Sequence, residues 1–326
     1  MFSSLKHRNN KQKYYLFNYL SLIIPNIFFR IKLKHKLSKL ENYDIKYIID
    51  RVNYYNKLSS KQKLSEKIKK IKSLKIKNFH RTYFFDSFEI ARYFDSELKI
   101  KFLFGDIVDI PDIPSIVKSR PISKYNHNSV LLKLNKVRHF TYTNDNNKFE
   151  EKKDILIGRS AITKKHTKRI RFFKKYFNHK LCDLGAINKN TPHKKWIKSK
   201  ISIEKHLKYK FIMCVEGVDV ATNLKWVMSS NSIAVMPRPS VESWFMEQKL
   251  IPDYHYIEID KNFSNLEERL DFFIKNPSKC HEIIINSNNY VKQFKNKKRE
   301  ELISLLVLEK YFYFTSQKNQ ISSLNY

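Results

Sequence analysis

Between residues 209 and 259 the chain alternates apolar runs with amphipathic stretches. The runs at 209–215, 232–236 and 254–259 are short and mainly apolar, while 219–228 and 241–250 space their apolar residues as helices do. Strand, helix, strand, helix, strand with short, mainly apolar strands is the pattern of a parallel sheet covered on both faces. Ligands of such sheets bind at the carboxyl ends of the strands. The turn Glu216-Gly217-Val218-Asp219 is therefore the first candidate site.

Upstream, apolar runs at 82–85 and 100–104 enclose a helical stretch at 87–98. The pattern predicts a further strand over 154–157, a basic helix over 166–177 and a loop over 189–200 around Pro192. A capping box, Ser264-Asn265-Leu266-Glu267, opens a helix that runs through Ile274. A last helical region covers 282–313, and 316–326 reads as a frayed tail. The polar stretch 144–153 marks a crossing between domains. The organisation expected is a basic helical segment over 1–79, one α/β lobe over 80–150, a second over 151–300 and a terminal helix and tail over 301–326. No internal repeat of fixed period interrupts this.

A length of 326 residues suits two domains, and 42% hydrophobic residues suffice for a core in each. Only four glycines occur, with no GxGxxG and no GxxxxGK[ST], which disfavours a Rossmann dehydrogenase or a P-loop enzyme. The net charge of +33 points to polyanionic surroundings such as nucleic acid, anionic lipid or phosphorylated glycan. Compositional bias explains the same excess, because only 13 of the 64 basic residues are arginine. Cys182, Cys214 and Cys280 form no CxxC pair, and an odd count argues for a reducing compartment rather than a disulfide framework. Cys214 lies within an apolar strand and reads as core.

Residues 14–29 are apolar and aromatic with basic flanks. They are too short and interrupted to span a bilayer, and no small-residue cleavage site follows, so a secretory signal is not expected. The segment fits an interfacial anchor on anionic lipid, or an ordinary first helix packed on its domain. Residues 61–77 read as a solvated basic helix or linker that lacks the interleaved aromatics of a nucleic-acid site.

Three constellations carry candidate chemistry. Asp106, Asp109 and Asp112 lie on a loop stiffened by Pro111 and Pro114 after a strand. A carboxylate so placed can serve as a general base, and equally as an N-cap, a turn former or a divalent-metal ligand, although the spacing is not DxD and no histidine clusters with it. Arg159, Arg169 and Arg171 offer planar forks that match phosphate oxygens, or else form a solvated basic face. In the third, Gly217 permits close backbone approach, and the amides of Val220, Ala221 and Thr222 would point out of a helix N-terminus as an anion site. Asp219 there suits a helix cap or hydroxyl acceptor, and Glu216 suits ribose or sugar hydroxyls. His166, His179, His193, His206, His255 and His281 lack metal-ligand spacing.

The stretches GDIVDIPDIPSIVKSRPI, NSVLLKLNKVRHF, KRIRFFKKY and EGVDVATNLKWVMSSNSIAVMPRPSVESWFMEQKLIPDYHYIEI resemble glycosyltransferase family 90, the CAP10-like transferases, in its bacterial lipopolysaccharide A branch. The resemblance covers roughly residues 80–295. It implies a GT-B fold, with two Rossmann-like lobes, an interlobe cleft and C-terminal helices. It implies inverting transfer without a metal or cofactor, from a nucleotide-sugar such as a UDP-sugar to a lipopolysaccharide or other glycan acceptor. The N-terminal lobe then takes the acceptor and the C-terminal lobe the donor. The family's D-x-P-x-x-P context falls on Asp109-Ile110-Pro111-Asp112-Ile113-Pro114, making Asp109 the base and Asp106 the runner-up. The R-G-S element falls on Gly158-Arg159-Ser160, with Gly and Arg exchanged, and the G-V-A-A-S-x-R element on 217–223, with Asn223 in place of Arg. Arg159, Arg169, Glu216, Gly217, Asp219, Val220, Ala221, Thr222 and Asn223 are thus the expected donor contacts, with no metal. The location implied is cytoplasmic, peripheral to the inner face of a membrane. The rival readings are a basic nucleic-acid-binding protein and an inactive membrane-associated protein of the same fold.

Overall fold

The computed structural model describes residues 9–76 and 80–319. Residues 1–8 and 77–79 of the expected N-terminal segment, and 320–326 of the expected frayed tail, lie outside the described residues. Helices α1 (Lys11–Ile23), α2 (Asn26–Ser38), α3 (Ile45–Tyr55) and α4 (Arg81–Ala91) come first. Strands β1 (Phe102–Leu103), β2 (Ser115–Val117), β3 (Ser119–Pro121) and β4 (Ser129–Leu131) follow, then the single turn α5 (Lys136–His139). The central alternation is β5 (Lys153–Ser160), α6 (Thr167–Tyr176), β6 (Cys182–Ala186), α7 (Ile203–His206), β7 (Tyr209–Met213), α8 (Leu224–Val227) and β8 (Ile233–Met236). Strands β9 (Val241–Ser243) and β10 (Ile257–Glu258) precede α9 (Leu266–Lys275), α10 (Pro277–Lys292) and α11 (Lys297–Phe314).

The chain divides into two compact units. The first comprises residues 9–10, Arg138–Ser240 and Met246–Gln293. The second comprises Lys11–Val137, Val241–Phe245 and residues from Phe294 onward.

The first unit is built on a five-stranded, all-parallel sheet in the order β10-β8-β7-β5-β6. The central residues of its strands are apolar and buried because both faces are covered. Leu156, Leu184, Phe211, Met213, Val235 and Ile257 enter one core with Phe172 and Phe173 of α6, Leu270 of α9 and Ile283 of α10. Gly158 stands where two strands close on each other: a Cβ there would lie 2.9 Å from Leu184 Cδ2 and 3.2 Å from Met213 Sδ. From β5 the chain runs to β6 on one side, then crosses back to β7 on the other. Strand order therefore reverses between β5 and β7. Beyond the carboxyl ends of those two strands lies the crevice where open parallel sheets take their ligands.

The second unit holds a three-stranded parallel sheet, β1-β2-β4, an antiparallel pair, β3-β9, and helices α1–α4 and α11. Helix α11 is apolar on nearly every face and buries 13 of its 18 residues, as a central helix must. Tyr55 at the end of α3 stacks on Trp244 at 3.8 Å, and Trp244 Nε1 donates to Glu300 of α11 at 2.6 Å.

Several expected elements differ. The run 82–85 is helical: Tyr83, Phe84, Ser87, Ile90 and Ala91 bury one face of α4, and so short an apolar run reads the same in either structure. The helix expected over 219–228 shrinks to the four residues of α8. The stretch 241–250 is not a helix. Its first residues form β9, in register with Ser119–Pro121, and a 3₁₀ turn at Glu247–Lys249 follows. The capping box is not made, because α9 starts one residue later, with Asn265 at its cap position and Ser264 Oγ turned to Asn262. The last helical region is two helices, broken between Lys292 and Lys297.

Candidate active site

Three loops leave the carboxyl ends of β5, β7 and β8 in the first unit. The loop after β5 leads into α6, which presents His166, Lys168 and Arg169. The loop after β7 carries Glu216 and Gly217, and the loop after β8 carries Ser240. Arg169 ties the switch point together. Its Nη1 donates to the Ala161 carbonyl beyond β5 at 3.2 Å, and its Nε to the Val215 carbonyl beyond β7 at 3.1 Å. A guanidinium fixed by main-chain acceptors has already lost the rotamer freedom that anion binding would cost it.

Gly217 closes on that guanidinium. A Cβ there would lie 3.2 Å from Arg169 Cζ and 3.1 Å from His166 Cδ2, so the close approach foreseen at this glycine is to the chain's own cation. His166 is oriented in turn. Its Nδ1 accepts from the Thr163 amide at 2.9 Å, which leaves the proton of the neutral ring on Nε2.

Glu216 is held from two sides. Its carboxylate accepts from the Ser240 amide at 2.9 Å and the Ser240 hydroxyl at 2.7 Å, and it pairs with the Lys168 ammonium. Lys168 also reaches Ser240 Oγ at 2.6 Å. Each carboxylate oxygen has more than one lone pair, so an oxygen that is already hydrogen-bonded can still accept from a hydroxyl.

The other residues anticipated for this site have varied placements. Arg159, near the end of β5, points across the sheet to β6. Its Nη2 meets both carboxylate oxygens of Asp183 at 2.9 Å, and its Nη1 donates to the Asp183 carbonyl at 2.7 Å. Burial pushes the Asp183 carboxyl up, but the hydrogen bonds from Lys198 and Arg159 outweigh it and hold that group below the usual carboxylate range. Arg171 lies 5.8 Å from the Phe263 ring. Asp219, Val220 and Ala221 are buried, and the Asp219 carbonyl accepts from the Gly217 amide at 3.1 Å. Asn223 Nδ2 donates back to the Met213 carbonyl at 2.9 Å, folding the loop onto β7. Because α8 opens only at Leu224 and has four residues, the segment 220–222 does not form the anion-binding helix N-terminus that the sequence suggests. Val220, Ala221 and Thr222 shape the turn behind Gly217. Cys214 is buried, and burial raises its thiol pKa, as expected for a core cysteine.

The acidic loop belongs to the second unit, between β1 and β2. It is rigid at its base. Asn128 Nδ2 donates to the carbonyls of Pro111 at 3.1 Å and Asp112 at 2.8 Å, and Tyr311 of α11 donates to that of Pro114 at 3.0 Å. The aspartates differ in their surroundings. Asp106 pairs at 2.5 Å with the buried Lys118, whereas Asp109 is exposed and makes no hydrogen bond or ion pair with a described residue.

Sequence reasoning weighs His166 only as a metal ligand and passes over Lys168 and Ser240. Lys168 lies in the stretch KRIRFFKKY, one residue before Arg169, and Ser240 follows the MPRP turn that ends β8.

Comparison with known proteins adds two findings. The family model described as "Glycosyl transferase family 90" matches residues 125–322. The chain is 40% identical over 269 residues to "O-glucosyltransferase LpsA" of Dichelobacter nodosus, a match covering 81% of this chain and 82% of that relative.

Proposed function

The chain belongs to glycosyl transferase family 90 and is a glycosyltransferase, and from that premise we propose that it moves a sugar from a nucleotide-sugar, with inversion, to a hydroxyl of a lipopolysaccharide or related glycan. The observation that carries this reading is Arg169 bridging the loops beyond β5 and β7 at the switch point of the parallel sheet. A fixed cation there suits a diphosphate. The relative's name makes a glucosyl donor the first to test, as UDP-glucose.

In this scheme the unit with the five-stranded sheet is the donor lobe of a GT-B enzyme, and the unit with the acidic loop supplies the base. Asp109 takes the proton of the acceptor hydroxyl. The freed oxygen attacks the anomeric carbon from the face opposite the nucleotide, through an oxocarbenium-like state. The bond to the diphosphate breaks as the glycosidic bond forms, and the electron pair leaves with the nucleoside diphosphate. Arg169 and Lys168 stabilise that developing charge in place of a metal. Glu216, braced by Ser240, accepts from ribose or sugar hydroxyls. The reaction is placed at the cytoplasmic face of a membrane, where a lipid-linked glycan meets a soluble donor.

A thermal-shift screen with UDP-, GDP- and CMP-sugars tests the donor site. Ligand at about 100 times its Kd adds about 2.7 kcal/mol to native stability, which for units of this size is a rise of roughly 5–10 °C. One nucleotide class should give that rise, and Arg169→Ala should remove it. If no class shifts Tm, the donor reading fails. Chelation with EDTA should leave turnover unchanged, and a strong loss would replace the cationic scheme with a metal-assisted one.

A further inference from the structure

Helices α1 and α2 are turned inside out. Together they bury a single residue, Leu37. On α1, Tyr14, Asn18 and Ser21 lie on the half-buried face, and the Tyr14 hydroxyl donates to the buried Asp86 at 2.7 Å. The opposite side carries Leu16, Phe17, Leu20 and Ile23, and α2 continues it with Ile27, Phe28 and Ile31. Phe17, Ile23 and Ile31 are 66%, 78% and 70% exposed. A helix that packs on a water-soluble unit places its apolar stripe inward. Here the stripe faces out, and it is far larger than the scattered apolar residues of an ordinary surface.

The bend that aligns the two helices is built in. Pro25 breaks the ladder, and the axes turn by 102°. The acceptors left at the break are taken up by one side chain. Arg92 donates to the Ser21 carbonyl at 2.8 Å, the Ile24 carbonyl at 2.6 Å and Asn26 Oδ1 at 3.1 Å, and its guanidinium lies 3.8 Å from the Phe29 ring centroid. The exposed stripe is thus presented on a fixed V.

We propose that α1 and α2 are an interfacial wedge that seats in one leaflet of a bilayer containing anionic lipid. Each helix has 13 residues, about 20 Å, against a hydrocarbon core of about 30 Å, so neither crosses. Charge selects the occupant. No Asp or Glu occurs from residue 9 to residue 40, while Lys11, Lys13, Arg30, Lys32, Lys34 and Lys39 flank the stripe. A second copy of this face would bring like charges together, and nucleic acid offers nothing to bury isoleucine and leucine. Anionic headgroups meet the cations while the acyl boundary receives the apolar residues. This deepens the membrane-face placement above, and its test needs no sugar transfer.

The full chain, without donor, is sedimented with phosphatidylcholine vesicles made with and without phosphatidylglycerol. It should pellet with the anionic vesicles, weakly with the neutral ones, and less as salt rises. The outward substitutions Phe17→Ser, Ile23→Ser and Ile31→Ser, combined, should weaken partitioning by at least about tenfold with Tm unchanged. Lys32→Glu with Lys34→Glu should weaken it by a similar factor on anionic vesicles only. Transfer to a soluble, deacylated glycan should persist in the triple variant. Wild type that stays in the supernatant, a triple variant that pellets like wild type, or a dimer that the triple variant dissociates without changing vesicle binding would each overturn the proposal.

Discussion

Replacing Asp109 by Asn should lower kcat by about 10²–10⁴-fold, the range a positioned general base supplies, and leave the nucleotide-induced rise in Tm in place. Three features single out this carboxylate. It sits on a loop whose base is pinned by Asn128 and Tyr311, so its position is set by the fold. It has no cationic partner among the described residues, and a base must keep its lone pairs for the acceptor proton. Its neighbour is already spoken for: Asp106 neutralises the buried Lys118 at 2.5 Å. Asp106→Asn should therefore act mainly on stability, by leaving a buried ammonium without its counter-charge, and cost less than about tenfold in kcat. Measuring kcat and the thermal shift for both variants separates the roles. An Asp109→Asn enzyme with most of its activity, or an Asp106→Asn enzyme that keeps its Tm but loses turnover, would exchange the assignments.

Chain pattern alone reveals the parallel sheet of the first unit, because Phe211–Met213 of β7 and all of β8 are apolar and buried. It fails where partners distant in sequence decide. Residues 241–250 carry a helical spacing, yet Val241–Ser243 pair with Ser119–Pro121, more than a hundred residues upstream, and that contact overrides local preference. The same holds for the arginines. In the β5–β6 register Arg159 lies opposite Gly185, two residues beyond Asp183. A Cβ on Gly185 would come within 3.1 Å of Arg159 Cδ, so the glycine makes room for the side chain to cross to that carboxylate. No spacing rule relates 159 to 183. Arg169 is reachable from the sequence as a cation on a helix following a strand, but its anchoring to Ala161 and Val215 depends on β5 and β7 being neighbours. Lys168 and Ser240 become site residues only because Glu216 draws three loops together. The sequence shows α1 as an apolar, basic-flanked segment and leaves its packing open, because the side that faces out depends on Asp86 and Arg92, on and beside α4.

Replacing Arg120 by Met should destabilise the second unit by about 3–5 kcal/mol, the usual cost of removing one partner of a buried ion pair. Arg120 and Glu242 are both fully buried and meet at 2.8 Å. The arginine spends its remaining donors on main chain: Nη1 on the carbonyls of Ser129 at 2.8 Å and Tyr55 at 3.1 Å, and Nη2 on that of Tyr54 at 2.6 Å. One side chain thus ties the end of α3 to β3, β4 and β9. Met fills a similar volume but takes from Glu242 its buried cationic partner, and leaves the carbonyls of Tyr54, Tyr55 and Ser129 without this donor. Pairing Arg120→Met with Glu242→Leu removes the stranded charge, so the double variant should recover part of the loss. Non-additivity of that size is what two groups in one network show. Urea unfolding of the two single variants and the double variant measures it. The consequence extends to the donor side along the chain itself, since β9 begins at Val241, directly after the Ser240 that braces Glu216. Loosening β9 should therefore raise the KM for the nucleotide-sugar in Arg120→Met with a smaller effect on kcat. A loss below about 1 kcal/mol would mean the pair contributes little beyond its own desolvation, and an unchanged KM would mean that Ser240 is held from the first unit alone.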